Sequence, residues 1–131
     1  MTLQSYQELT ITKLIQHASS ALWLNISELK KRFRNFPICL MDYIENDSKE
    51  NLVEIRFDDE KATLSCMLNK DSKSNNIFLF FDDSDCLNEY INYLNTVYTY
   101  DYRECRWLLP DCYLSLKKAE YDMCMYFYYE G

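Results

Sequence analysis

Glycine is almost absent from this chain of 131 residues, and the single glycine is Gly131. Phosphate-binding loops and dinucleotide-binding folds need glycine where backbone amides approach a phosphate closely or where φ is positive. Hydrolase elbows built on a G-x-S-x-G motif need it for the same reason. The sequence therefore excludes these nucleotide-binding and hydrolase motifs. It also predicts that asparagine and aspartate occupy the left-handed positions of turns.

Histidine is equally scarce, and His17 is the one histidine of the chain. It lies on a predicted helix without a flanking motif, so we interpret it as a surface or boundary residue and not as a general base. The cysteines form no C-x-x-C pair, and the closest two, Cys105 and Cys112, are separated by six residues, more than in common zinc sites. We therefore predict no catalytic residue, no metal and no cofactor. The cysteines are expected to be free thiols that act as small apolar side chains: Cys39, Cys66, Cys86, Cys105, Cys112 and Cys124.

Long apolar runs are missing as well. Residues 1–24 contain Gln4, Glu8 and Lys13 where a signal peptide has an uninterrupted apolar stretch. No other segment approaches the roughly 18 consecutive apolar residues of a membrane span. These patterns lead us to expect a cytoplasmic protein without a membrane partner, in which the cysteines stay reduced.

Apolar and aromatic side chains are present in the proportion of a folded protein, at 48% hydrophobic and 16% aromatic. The length is close to the commonest size of one domain, so we expect a single domain over residues 1–131. The net charge of −7 is unevenly distributed: residues 1–36 hold five basic and two acidic residues, and the other 95 hold nine basic and nineteen acidic. A body this acidic repels nucleic acid and favours encounter with basic partners.

Apolar periodicity predicts helices first and strands afterwards. The first 36 residues have helical spacing, and Asn25 with Glu28 forms a capping-box pattern at the start of a second helix, which Pro37 ends. Residues 53–57 and 62–68 alternate between apolar and polar side chains, which predicts a hairpin, and residues 38–44 fit another strand. The continuous apolar run 77–81 predicts a central strand covered on both faces.

The second half of the chain follows the same logic. Apolar residues recur at helical spacing between Leu87 and Tyr98, with acidic residues at the predicted helix start, where carboxylates cap backbone amides. Residues 113–120 fit a helix or a strand, and we favour a strand; residues 121–129 alternate as a strand does. Together these elements predict an α+β fold, with N-terminal helices and a central helix packed on a mainly antiparallel β-sheet.

Charged clusters have a structural and a functional interpretation. The carboxylates at 58–60 and 82–85 fall in predicted turns, where solvated charges are usual, although a paired-carboxylate active site or a metal-dependent nuclease site remains an alternative. The basic run at 30–34 is too short for a nucleic-acid surface beside such an acidic remainder. We interpret it as a solvated helix face.

Tyrosine is abundant, with twelve residues in the chain. Half-exposed strands favour tyrosine, because its ring packs while its hydroxyl stays solvated. Tyrosine is also enriched in binding hot spots, and neighbouring carboxylates steer a basic partner towards them. The partner-binding hypothesis selects acidic and tyrosine side chains along the central helix start, the segment after that helix and the outward face of the last strand: Asp82, Asp83, Asp85, Glu89, Tyr100, Asp101, Tyr102, Glu104, Tyr126 and Tyr128.

In its acidity, its tyrosine content and its lack of catalytic motifs, the chain resembles the small immunity proteins that bacteria encode beside toxin domains, as in contact-dependent growth inhibition systems. The resemblance is one of composition over the whole chain and assigns no role to any residue. It implies a stoichiometric, non-enzymatic inhibitor that binds and occludes a basic toxin domain, commonly a nuclease. Two alternatives remain: a phage or plasmid protein that mimics nucleic acid and blocks a host DNA-binding complex, and an enzyme that uses carboxylates or a thiol.

Overall fold

Three α-helices and eight β-strands account for most of the chain in a computed structural model that describes residues 3–45, 48–119 and 122–129. The helices are α1 (Leu3–Ala21), α2 (Ile26–Arg32) and α3 (Leu87–Val97), and a short 3-10 turn, Ser84–Cys86, precedes α3. The strands are β1 (Ile38–Glu45), β2 (Ser48–Phe57), β3 (Ala62–Leu68), β4 (Ser74–Phe81), β5 (Thr99–Asp101), β6 (Arg106–Leu108), β7 (Tyr113–Ala119) and β8 (Asp122–Tyr128).

The strands form one antiparallel sheet in the order β1-β2-β3-β4-β8-β7-β6-β5. The last strand is therefore inserted beside β4 in the middle of the sheet, and β5 forms the edge furthest from β1. The chain moves from β4 to that edge by way of α3. The predicted α+β fold is confirmed, as are the hairpin over 53–68, the helix after residue 86 and the strand assignment of 113–119.

The second helix begins as its sequence predicts. The Glu28 amide donates to Asn25 Oδ1 at 2.8 Å, and the Asn25 amide donates to Glu28 Oε1 at 3.2 Å. This capping box satisfies two backbone donors that a helix start leaves without partners. It fixes the entry of a helix of only seven residues, whose Leu29 is buried in the core.

The core lies on one side of the sheet, between the sheet and the three helices. Alternate residues of the central strands point to that side and are fully buried, among them Ile77 and Leu79 of β4 and Phe127 of β8. The helices cover them with buried residues such as Leu14 of α1 and Leu94 of α3. The period of two along each strand thus assigns one set of side chains to the core and the other set to the opposite side. We call that opposite side the open face.

The expectation that residues 77–81 are covered on both faces is wrong. This strand is β4, the fourth of eight in the sheet, and it is central as expected. Phe78 and Phe80, however, point to the open face, are only half-buried and do not belong to the core cluster. A continuous apolar run predicts that both faces of the strand are buried. The pattern alone does not show whether a face packs against a helix or only against aromatic rings of the neighbouring strand.

The expectation that asparagine and aspartate occupy the left-handed turn positions is wrong for the described turns, while Asn46 and Asp47 lie outside the described residues. Among the described residues, the positive φ values belong to Trp23 (67°), Lys61 (54°), Ser72 (60°) and Cys105 (54°), and none to asparagine or aspartate. Asparagine and aspartate stabilise turns through their side chains instead, as when Asn69 Oδ1 accepts the amides of Asp71 and Lys73 at 2.9 and 3.0 Å. Side-chain acceptors of this kind fix a turn without placing the asparagine itself in the left-handed region.

We predict that Lys61→Gly stabilises the protein, because Lys61 has φ of 54° in the turn between β2 and β3. Steric strain of a residue with a Cβ atom in the left-handed region costs about 1 to 2 kcal/mol, and glycine removes this strain. Glycine also loses more conformational entropy on folding, which costs about 0.5 to 1 kcal/mol. The free energy of unfolding should rise by about 0.5 to 1 kcal/mol in urea unfolding followed by fluorescence.

The matched control for this change is Asp59→Gly in the same turn, since Asp59 is exposed and has no positive φ. Here glycine adds only its entropy cost, so the free energy of unfolding should fall by about 0.5 to 1 kcal/mol. Equal shifts in the same direction for both variants would contradict the assignment of strain to Lys61.

Candidate functional site

Two acidic loops lie side by side at one end of the sheet. One is the turn between β2 and β3, and the other runs from the end of β4 into α3. The Asp82 amide donates to the Lys61 carbonyl at 3.0 Å. Arg56 joins the loops through its side chain, with Nε 3.0 Å from Asp58 Oδ1 and Nη2 2.6 Å from Asp82 Oδ2. We call the seven carboxylates of these loops the acidic end: Asp58, Asp59, Glu60, Asp82, Asp83, Asp85 and Glu89.

The electrostatics of the acidic end follow from Arg56. Its two-point hydrogen bond lowers the pKa of the Asp82 carboxyl, and the same contacts with Asp82 and then Asp58 raise the pKa of Arg56 well above its ordinary value. Both groups therefore stay charged at neutral pH. Seven carboxylates against two cations, Arg56 and Lys61, leave a formal charge of −5. Asp59, like the carboxylates at 83, 85 and 89, is exposed to solvent.

Of the acidic side chains at 82–85, which were expected to cap the helix, only Asp83 caps a backbone amide, and α3 itself starts after its N-cap residue Cys86 without a side-chain cap. Asp83 Oδ1 accepts the amide of Asp85 at 2.9 Å and caps the 3-10 turn that leads into α3. Asp85 and Glu89 lie in the first turns, where negative charge is favourable at a helix start. A structural role for Asp83 therefore coexists with the surface charge that these residues create together.

The basic run extends from α2 to Arg34, shortly before β1 begins at Ile38. Lys30, Lys31, Arg32 and Arg34 are exposed, as expected for a solvated face, whereas Phe33 between them is buried in the core. The run leads to Pro37, whose carbonyl accepts the Arg56 amide at 3.0 Å as β1 begins.

A row of stacked aromatic rings crosses the open face. The ring centroids of Phe80 and Phe78 are 6.5 Å apart, those of Phe78 and Tyr126 are 4.9 Å apart, and those of Tyr126 and Tyr128 are 4.7 Å apart. Tyr113 continues the row at 5.6 Å from Tyr128. We call these five rings the aromatic ladder. The interplanar angles of 18° and 11° at Tyr126 show rings that stand side by side, so that each ring covers the face of the next.

Polar groups contact two rings of the aromatic ladder, Tyr113 and Tyr126. The Arg106 guanidinium lies 3.7 Å from the centre of the Tyr113 ring, and Lys117 Nζ lies 5.3 Å from that of Tyr126. The Tyr126 hydroxyl donates to Asn76 Oδ1. Burial, and next the neighbouring Tyr128, raise the pKa of Tyr126, which therefore stays protonated at neutral pH. The outward placement predicted for Tyr126 and Tyr128 is thus observed, and the two rings form one unit.

The segment after α3 lies elsewhere. Tyr100 of β5 points to the helix side, where its ring packs 4.8 Å from that of Trp107, and Tyr102 packs edge-on against it at 4.9 Å with 84% of its surface exposed. Asp101 Oδ1 accepts the amides of Arg103 and Glu104 at 3.0 and 3.4 Å in the turn to β6. Strand β5 is four strands from β4, a lateral distance of roughly 19 Å.

The candidate residues therefore fall into three groups. The structure brings Asp82, Asp83, Asp85 and Glu89 together in the segment from the end of β4 to the first turn of α3, and it stacks Tyr126 on Tyr128 on the open face. It places residues 100–104 at the β5 edge, apart from both. The site also includes residues that the sequence did not single out for binding: Arg56, Asp58, Asp59, Glu60, Phe78 and Phe80.

A groove of about 510 Å³ opens between the end of α3 and β5, lined by residues 95–100 and Tyr102. Its lining holds no histidine, cysteine or carboxylate, and its polar side chains are Asn95 and the hydroxyls of threonine and tyrosine. Asn95 in this lining accepts a hydrogen bond from Trp107 Nε1 at 2.9 Å. We interpret the groove as a consequence of how the end of α3 leads into β5, the edge strand, and not as a binding site.

His17 lies half-buried at the boundary of the core, as expected. Cys66 and Cys112 belong to the core, whereas the buried Cys124 points to the open face. The His17 ring stacks on Phe57 at 4.7 Å and meets Phe33 and Phe36 edge-on at 5.7 and 5.5 Å. Burial lowers its pKa, against an opposing contribution from Glu60. Burial also raises the pKa of the buried thiols to about 12 at Cys66 and Cys112 and about 11 at Cys124, whereas Cys39 and Cys105 are exposed. Within the described ranges, no three His, Cys, Asp or Glu side chains are grouped to hold a metal ion.

No protein-family model, curated protein or solved structure matches this chain. None of the described helices has the length and apolar character needed to cross a membrane.

Proposed function

We propose that this protein is a stoichiometric inhibitor of the immunity-protein kind, which binds a basic toxin domain through its acidic end and occludes the toxin's active site. One observation carries the proposal: two loops distant in sequence, at 58–60 and 82–89, are joined by Arg56 into a single surface with a formal charge of −5. A local excess of this size attracts a basic protein at long range and accelerates productive encounter.

The arrangement of the acidic end suits recognition by a protein. Asp58 and Asp82 are held by Arg56, so their loops are positioned before a partner arrives. Asp59, Asp85 and Glu89 are exposed and offer carboxylates for lysine and arginine side chains. Because the loops are already ordered, little conformational entropy has to be lost at the interface on binding.

The compactness of this surface favours the inhibitor over the nucleic-acid mimic. A mimic needs carboxylates at phosphate-like intervals along an extended face, whereas the seven carboxylates of the acidic end are concentrated at one end of β2, β3 and β4. An acidic patch next to an aromatic surface is instead typical of a protein interface with apolar anchors and a charged rim.

The test uses the product of the gene that adjoins the coding sequence, because an immunity protein is encoded beside its toxin. The two purified proteins are mixed and examined by size-exclusion chromatography with light scattering, and the toxin activity is measured in a titration. We expect a 1:1 complex and complete inhibition at one equivalent. An adjacent product that is not inhibited, or that forms no complex at micromolar concentrations, would contradict the proposal.

A further inference from the structure

The open face and the acidic end are continuous, and Phe80 lies where they meet. Phe80 is the register partner of Thr63, whose Oγ1 accepts a hydrogen bond from Arg56 Nη1 at 3.1 Å. The same Arg56 binds Asp82, two residues after Phe80. The aromatic ladder therefore begins beside the acidic loops and extends from there across β4 and β8.

Resting on the proposed function, we infer that the basic partner also covers the near part of the open face, with Phe80 and Phe78 as the apolar anchors of the interface. Both rings are half-buried and lie outside the core cluster, and no described helix covers them. Aromatic side chains that lose their remaining water in a complex supply much of the binding energy of typical interfaces.

Charge complementarity favours a basic protein over two other molecules that could bind an aromatic sheet face, namely single-stranded nucleic acid and a second copy of this chain. Single-stranded nucleic acid needs free ring faces on which bases stack, but Phe78, Tyr126 and Tyr128 stack on one another, and the adjacent surface carries −5. A second copy of this chain would bring together two bodies of −7 each. A basic protein is attracted by the same charge that repels these two.

The part of the ladder furthest from the acidic end, around Tyr113, is less suited to a basic partner. Arg106 already lies against Tyr113, and its positive charge opposes the approach of lysine and arginine. Leu108 of β6 is the register partner of Tyr113 and is 40% exposed at that far part. The open face thus contains its own control position, an exposed apolar side chain on the same face that the inferred interface does not include.

The two parts of the interface make different kinetic contributions. Exposed carboxylates act at a distance and govern the association rate constant. Buried rings act only after contact and govern the dissociation rate constant. Removing the Phe80 ring should therefore raise the dissociation rate constant and leave the association rate constant nearly unchanged. This pattern distinguishes an apolar anchor from a residue that contributes to electrostatic steering.

The experiment compares Phe80→Ser with Leu108→Ser in binding to the purified product of the adjacent gene, by surface plasmon resonance. We expect Phe80→Ser to raise the dissociation rate constant about tenfold or more with little change in association, and Leu108→Ser to change it less than about twofold. Circular dichroism and a thermal melt check that each variant is folded. Phe80→Leu, which keeps the position apolar, serves if the serine variant does not fold, with an expected rise of about threefold.

The outcomes separate the inference from the proposed function. If the unmodified protein binds and inhibits the adjacent product but Phe80→Ser dissociates no faster than Leu108→Ser, the anchor role is wrong while the inhibitor function stands. Equal dissociation rate constants for Phe80→Leu and the unmodified protein would likewise show that the anchor role is wrong while the inhibitor function stands. If the unmodified protein does not bind at all, the proposed function fails and the inference fails with it.

Discussion

Replacing Phe127 with alanine should lower the free energy of unfolding by about 3 to 5 kcal/mol, the range for a fully buried phenylalanine. Phe127 lies in β8 with no solvent exposure, between its register partners Ile77 and Leu114, which are also fully buried. Alanine would leave a cavity among these buried side chains. Urea unfolding followed by tryptophan fluorescence and circular dichroism measures the change.

The neighbouring Phe78→Ala variant is the matched control, because it removes an equal ring from the other side of the same sheet. Phe78 is half-buried and covered only by ring neighbours such as Tyr126, so the cost should be about 1 to 2 kcal/mol. A cost as large as that of Phe127→Ala would mean that the open face is a second core. It would then contradict both the one-sided architecture and the anchor role inferred for this face.

Most of the fold follows from local sequence signals. Each of the alternating segments forms a strand, the pair Asn25 and Glu28 caps its helix, and the apolar spacing after Leu87 defines α3. These signals are local because they depend on the direction of successive side chains and on hydrogen bonds between near neighbours. The α+β class follows from the order of the elements.

Strand order could not be predicted in the same way. The insertion of β8 between β4 and β7 pairs residues about fifty positions apart, such as Ile77 with Phe127, and no local pattern encodes that partner. The aromatic ladder depends on this pairing, since Phe78 stacks on Tyr126 only when β4 and β8 are adjacent. Phe78 and Phe80 were consequently assigned to a strand covered on both faces.

The acidic end was missed for a related reason. The sequence shows two separate acidic turns, and each has a sufficient local explanation. Only the packing of the β2–β3 turn against the end of β4 makes them one surface, with Arg56 between Asp58 and Asp82. Conversely, the tyrosines at 100 and 102 looked continuous with the acidic segment along the chain, but the path of α3 carries them to the far edge of the sheet.

Reversing one charge in each acidic loop should have the largest effect on binding. Asp59→Lys and Asp85→Lys change exposed carboxylates that are not contacts of Arg56, so the link between the loops is preserved. Together they convert the formal charge of the acidic end from −5 to −1, since each reversal adds two units. Electrostatic steering accelerates association by about 10- to 1,000-fold, so the double variant should associate roughly 10- to 100-fold more slowly with a basic partner.

The matched control is Asp71→Lys with Asp111→Lys. Both residues are exposed, in the loops between β3 and β4 and between β6 and β7, at the opposite end of the sheet. This pair changes the net charge of the protein by the same amount as the test pair. Any general effect of net charge on association is therefore common to both variants, and only the location of the charge differs.

The most direct measurement is the association rate constant of these two double variants with the purified product of the adjacent gene, determined by stopped-flow fluorescence at low and at high salt. We predict that the Asp59→Lys, Asp85→Lys protein associates slowly at low salt, whereas the association rate constant of the Asp71→Lys, Asp111→Lys protein stays within about threefold of that of the unmodified protein. The difference between the two variants should shrink at high salt, because salt screens the charges. Equal rate constants for the two variants would show that the partner is not drawn to the acidic end, and would contradict the account.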